Sequence, residues 1–292
     1  MSVRITKPRH AITLTSYAEL RQFAEAFGTG KFNLLILVGT AGIAKSQTLR
    51  QVVGEGALWI EGNATAFGIY QAVYEHRDKP IVIDDVDTLY TDRAAVRLLK
   101  CLCQTDPVKQ ISWYSKAAGV GDLPRVVETT SRVCIIANEW KQLNANVAAV
   151  QDRGHLVFFE PTPEEIHLQV AHWFWDQEVF DWFAEYLHLI PEPSMRHYVR
   201  AAELKAAGID WVKVMLSDAV PEKALLIAKL KADPRFQEEQ ERVKAFRELG
   251  GGGQTTYYKW LGRIRSPMDN TRLRVKLPRA RMRERPQLRL VG

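Results

Sequence analysis

"GTAGIAKSQ", residues 39–47, comes straight after the apolar run "NLLILV", and the reading of this junction decides the fold. A short apolar run bounded by glycine is a strand buried on both faces. A glycine-bearing turn that leaves such a strand and opens a helix is the setting of a phosphate-cradling loop, G-x-x-x-x-G-K-[ST], in which backbone N–H groups surround an anion at the helix N-terminus. Gly39, Lys45 and Ser46 fit that pattern, and Ala44 stands where the second glycine belongs. The candidate nucleotide-binding residues are Gly39, Thr40, Ala41, Gly42, Ile43, Ala44, Lys45, Ser46 and Gln47. The competing reading is a strand-to-helix turn with a solvated lysine, and the rest of the chain decides between them.

Upstream, "SYAELRQFAEAFGTG" spaces Tyr17, Leu20, Phe23, Ala24 and Phe27 at three- and four-residue intervals. That is one apolar helical face, ended by Gly28 and Gly30. Downstream the chain alternates: "ALWIEG", "KPIVIDDV", "SRVCIIAN" and "HLVFFEP" read as strands, while "ATAFGIYQAVYEHRD", "DRAAVRLLKCLCQ" and "NANVAAVQDRG" read as helices. Apolar strands alternating with helices predict an α/β fold, a doubly wound parallel sheet over residues 1–160. The interval "KQISWYSKAAGVGDLPRVVETTSR" breaks the rhythm and predicts a hairpin. Residues 161–216 are helical and aromatic, a small helical domain, and residues 217–253 form a charged helical stretch ending in a four-glycine hinge. Such a hinge predicts that residues 254–292, a basic tail, move freely.

In "IVIDDVD", Asp84 and Asp85 end an apolar strand, where a parallel sheet places its ligands. Two adjacent carboxylates there call for a cation. Asp84 with Ser46 is the expected Mg²⁺ pair, and Asp85 the group that orients or deprotonates an attacking water.

The order of these elements resembles the AAA+ ATPases, a P-loop NTPase family, over residues 15–216. The resemblance implies ATP as ligand, Mg²⁺ as cofactor, ATP hydrolysis, and a homo-oligomeric ring or filament. It implies that Asn138, ending "CIIAN", senses the terminal phosphate. It implies an arginine finger at Arg153, with Arg132 as competitor, and a lid arginine at Arg196. The residues "AFG", 66–68, and the hairpin's Trp113, Tyr114 and Lys116 lie where members of the family carry pore elements, the second of them a nucleic-acid contact. Two departures stand out: Ala44 for glycine, and Asp85 where the family usually has glutamate.

The chain of 292 residues is 46% hydrophobic and 25% charged, which excludes a wholly disordered protein. Its three cysteines have no metal-ligand spacing, and no cationic start leads into a long apolar stretch, so a cytoplasmic protein with reduced thiols is expected. The net charge of +6 is unevenly spread: residues 254–292 hold eleven Lys/Arg against Asp269 and Glu284, leaving the remainder mildly acidic. Lys259, Arg263, Arg265, Arg272 and Arg274 are candidate nucleic-acid contacts in that tail, which otherwise serves a protein partner or nothing specific. The expected work is on DNA, in the manner of loaders, initiators and mobile-element ATPases. The alternatives are a protein-remodelling motor and a nucleotide-gated scaffold with little hydrolysis.

Overall fold

The apolar runs become one six-stranded sheet, with β1 (Ile12–Leu14), β2 (Leu34–Val38), β3 (Leu58–Glu61), β4 (Ile81–Asp84), β7 (Val133–Ala137) and β8 (His155–Phe159). Every pairing is parallel and the order is β1-β8-β2-β7-β4-β3. This is the first of two units in a computed structural model that describes residues 7–86, 92–114, 123–139, 150, 153–264 and 272–278. The units are Met1–Pro161 and Thr162–Gly292.

β2 and β7 are buried at all five positions, because strands covered by helices on both faces have no solvent side. The covering helices are α1 (Tyr17–Gly28), α2 (Lys45–Val53), α3 (Ala66–Glu75) and α4 (Arg93–Leu102). β1, an edge strand of three residues, was not foreseen; it is too short to show a pattern and pairs only with β8. The hairpin is present as antiparallel β5 (Lys109–Ser112) and β6 (Val126–Thr129). At its base Lys109 is fully buried, donates to the Ser131 carbonyl at 2.6 Å, and is pushed down to about 8 by burial. The helix expected in "NANVAAVQDRG" falls mainly outside the described residues.

The second unit holds seven α-helices among the described residues, α5 (Pro163–Val170), α6 (Gln177–Tyr186), α7 (Met195–Ala206), α8 (Trp211–Asp218), α9 (Glu222–Ala232), α10 (Glu239–Glu248) and α11 (Gln254–Leu261). Phe174, Phe180, Phe183 and Tyr198 fill its centre, the last two stacked at 4.0 Å.

The expectation of a free segment after the glycines is corrected here. Gly251 packs so tightly that a Cβ would lie 2.4 Å from the Phe246 ring, and the turn returns the chain as α11. There Tyr257 is buried edge-on against Phe246, and its hydroxyl donates to Glu239 at 2.8 Å. Residues 272–278 are also docked. Leu273 packs on Ala184 and Leu187, and its carbonyl accepts from His167 Nε2 at 2.9 Å. Gln177 brackets the segment, its Nε2 donating to the Val275 carbonyl at 3.2 Å and its Oε1 accepting from the Leu277 amide at 2.9 Å.

Candidate nucleotide site

The loop after β2 is shaped by its backbone. Gly39 donates its amide to the Ala137 carbonyl at 3.1 Å, and a Cβ there would lie 2.6 Å from the Phe159 carbonyl oxygen, so only glycine fits. Gly42 has φ 77°. Ala44 opens α2 in the left-handed region, φ 56° and ψ 30°, a conformation glycine adopts freely and alanine resists. α2 has neither a side-chain cap nor an acidic residue in its first turn, so no side-chain carboxylate of its own competes with an anion at its N-terminus.

Lys45 is the centre of the site. It is 5% exposed, and its Nζ donates to the carbonyls of Gly39 at 2.7 Å and Thr40 at 2.8 Å and to Asn138 Oδ1 at 3.1 Å. An ammonium has three hydrogens and accepts nothing, so the Asn138 oxygen must face it. The Asn138 Nδ2 then faces the other way and donates to Asp85 Oδ1 at 2.9 Å. Asn138 thus joins the lysine to the carboxylate. The Gly39, Thr40 and Asn138 oxygens are neutral acceptors, and a phosphate oxygen would bind Nζ better than any of these three.

The ends of β2, β4 and β7 are adjacent in the sheet, which brings Asp84 and Asp85 to the same place. Burial raises the Asp84 pKa, with Glu61 and Asp85 pushing the same way, while a hydrogen bond from Ser46 and the charge of Lys45 oppose them. Glu61 lies level with Asp84 on β3 and is paired to Arg50 of α2. A carboxylate held among others and hydrogen-bonded to a hydroxyl is a partial cation site. No group of three metal-ligating side chains occurs among the described residues. Mg²⁺ takes one or two protein oxygens and completes its shell with phosphate and water. A lysine held by loop carbonyls and Asn138, a helix start with no side-chain cap, a glycine cradle and a desolvated acid together fit a nucleoside triphosphate with Mg²⁺. Gly39 to Gln47 would line the anion, and Ser46 with Asp84 would hold the metal.

The other expected residues are distributed differently. Arg153 donates through Nη1 to the Lys100 carbonyl at 3.0 Å, in the last turn of α4, and Arg132 donates through Nη2 to the Gly28 carbonyl at 2.9 Å, at the end of α1. Both finger candidates therefore serve helix C-termini inside their own unit, where cations suit the exposed carbonyls. The charge of Arg153 does not by itself require a neighbouring subunit. Arg196 lies in the second unit, exposed in the first turn of α7. The residues 66–68 form the first turn of α3, as the helical reading of this stretch expects, capped by Thr65, with Phe67 packed near the Trp113 ring at 5.8 Å and not presented as a pore loop. Trp113 also meets Tyr70 at 6.0 Å, which leaves Tyr114, 73% exposed, as the outward aromatic of that pair. Lys259, Arg263, Arg272 and Arg274 are exposed on the second unit, while Lys116 and Arg265 lie outside the described residues.

Tyr17 was not anticipated. Its hydroxyl donates to the Ile43 carbonyl at 3.0 Å, in the middle of the loop, although its spacing marks it only as one more apolar position on α1.

No family model and no curated protein matches the chain. Among solved structures, a Walker-type ATPase of Pyrococcus abyssi aligns with 92% of this chain and 99% of its own, at 10% identity and a TM-score of 0.42. No described helix is long and apolar enough to cross a membrane.

Proposed function

We propose that this chain is an ATPase that binds ATP with Mg²⁺ at the carboxyl ends of β2, β4 and β7. The observation that carries the reading is the connected set Lys45, Asn138 and Asp85 beside the Ser46–Asp84 pair, at the mouth of a glycine-shaped loop. Lys45 meets the terminal phosphates by exchanging a neutral oxygen for an anionic one. Asp85, held by Asn138, aims a carboxylate at water and takes its proton as the water attacks. Mg²⁺, when bound, neutralises the charge that gathers on the phosphate oxygens.

Assembly into a homo-oligomer belongs to the same reading and rests on the resemblance in the order of motifs. Action on DNA rests on the exposed cations Lys259, Arg263, Arg272 and Arg274 and on the further arginines that follow. A second reading is a nucleotide-gated scaffold that turns over slowly. Asp85 favours it, being shorter than glutamate and already engaged by Asn138.

The test is nucleotide affinity and turnover of Lys45→Ala, with and without DNA. Loss of ATP binding is expected, because no other cation on the loop replaces the ammonium. Unchanged affinity would end the ATPase reading.

A further inference from the structure

Tyr17 occupies position N1 of α1, after a Ser16–Glu19 capping box that fixes the start of that helix. Its ring stands edge-on to Phe159 at 5.1 Å, and it is Phe159 whose carbonyl crowds the Cβ position of Gly39. Its hydroxyl reaches Ile43, whose side chain lies 3.2 Å from that same Cβ position. Helix α1 and the end of β8 therefore close a collar on the loop from outside, and Tyr17 is its one hydroxyl contact with the loop backbone among the bonds described.

The peptide that Tyr17 holds joins Ile43 to Ala44, and it is trans like every peptide described. In a trans peptide the carbonyl and the following N–H point in opposite directions. Fixing the Ile43 oxygen towards Tyr17 thus fixes the Ala44 N–H on the face of the loop away from Tyr17. The same bond restrains the left-handed φ of 56° that alanine would otherwise leave.

We propose that Tyr17 is a positioning residue of the nucleotide site, which sets the orientation of the Ile43–Ala44 peptide and so makes an alanine workable at a glycine position. This rests on the ATPase reading above. The hydroxyl touches no nucleotide. It acts through the loop backbone.

The experiment is a double-mutant cycle in the full chain, with Tyr17→Phe and Ala44→Gly alone and together. It is read as fluorescent-ATP affinity, KM and kcat, with thermal midpoints alongside. Tyr17→Phe keeps the ring and is expected to weaken ATP affinity and raise KM about fivefold, the equivalent of one net hydrogen bond, with kcat changed less. In the Ala44→Gly background the same change is expected to cost under twofold, because glycine holds the left-handed turn unaided. An equal loss in both backgrounds, or a fall in thermal midpoint without a change in KM, would overturn the proposal. If the unaltered chain binds ATP in a Lys45-dependent manner and Tyr17→Phe binds equally well, the positioning role fails and the ATPase reading stands. If the unaltered chain binds no ATP, both fail.

Discussion

Ala44 and Asp85 share a backbone conformation: their φ angles are 56° and 55°, and they are the two described residues other than glycine with positive φ. They are also the two positions where the sequence departs from the pattern it resembles. Both turns sit at the mouth of the sheet, one opening α2 and the other leaving β4. Such turns persist only where surrounding bonds over-determine them. The Asp85 amide donates to the Ile136 carbonyl at 3.3 Å and its carboxylate accepts from Asn138.

Ala44→Gly is expected to leave stability nearly unchanged. Relief of about 1 kcal/mol of left-handed strain is offset by the greater freedom that glycine has in the unfolded chain, about 0.5–1 kcal/mol. Urea denaturation measures the balance, and a large loss would show that the methyl packs favourably.

Asp85→Asn and Asp85→Ala separate chemistry from backbone. Both remove the carboxylate and are expected to stop turnover while ATP still binds. Asparagine tolerates the left-handed turn and alanine does not, so Asp85→Ala is expected to be about 1 kcal/mol less stable than Asp85→Asn. Loss of nucleotide binding in both would shift the metal role from Asp84 to Asp85.

Asn138→Ala cuts both links of the bridge at once. Lys45 and Asp85 lose their common partner, so turnover is expected to fall by about a hundredfold, the usual cost of one misplaced polar group in a catalytic site. Filter-binding with ATP should show a much smaller change, since the loop and Lys45 remain.

His167 makes the second unit acid-sensitive. It is fully buried, with Nε2 donating to the Leu273 carbonyl, so Nδ1 is left to accept from the Tyr198 hydroxyl at 2.8 Å. Burial pushes its pKa from 6.5 down to about 4, against a smaller upward pull from the Leu273 carbonyl and Asp181. Above pH 6.5 the ring is neutral folded or unfolded and contributes no slope. As pH falls from there towards 4 the unfolded chain takes up a proton the folded chain refuses. The penalty grows across that window to on the order of 3 kcal/mol. Urea midpoints at a series of pH values should show this limb, and His167→Gln should flatten it.

Deleting residues 279–292 removes five arginines without touching any described packing. If the chain binds DNA through that stretch, the slope of log affinity against log salt should flatten by up to about 4, with ATP binding intact. A cut at residue 254 is a poor substitute: it takes away Tyr257, buried in the second unit, and its expected outcome is unfolding of that unit.

The α/β sheet was legible because its strands are apolar runs that burial on both faces demands, and the loop was legible because glycine, lysine and serine recur at fixed spacing. What sequence could not display were contacts set by distant chain. Tyr17 looks like any apolar position until Ile43 is placed against it. Gly251 looks like a hinge until the Phe246 ring closes on it. The alternating segment after residue 271 looks like an unattached arm until Gln177, about a hundred residues earlier, brackets it.

Gln177 spans the Val275 carbonyl and the Leu277 amide as a neighbouring strand's peptide group would, and that has a consequence for how the segment tolerates change. An amide reading backbone is blind to which side chains pass, so the exposed Arg274, whose contact with Glu185 is a long 3.9 Å ion pair, and Lys276 should be replaceable one by one or together. It is not blind to phase. Removing a single residue between Leu273 and Leu277 would bring Pro278, which has no amide hydrogen for Gln177, to the Leu277 seat, or Arg272 to the Leu273 seat. One missing residue should therefore undock the segment more completely than the loss of all its charges.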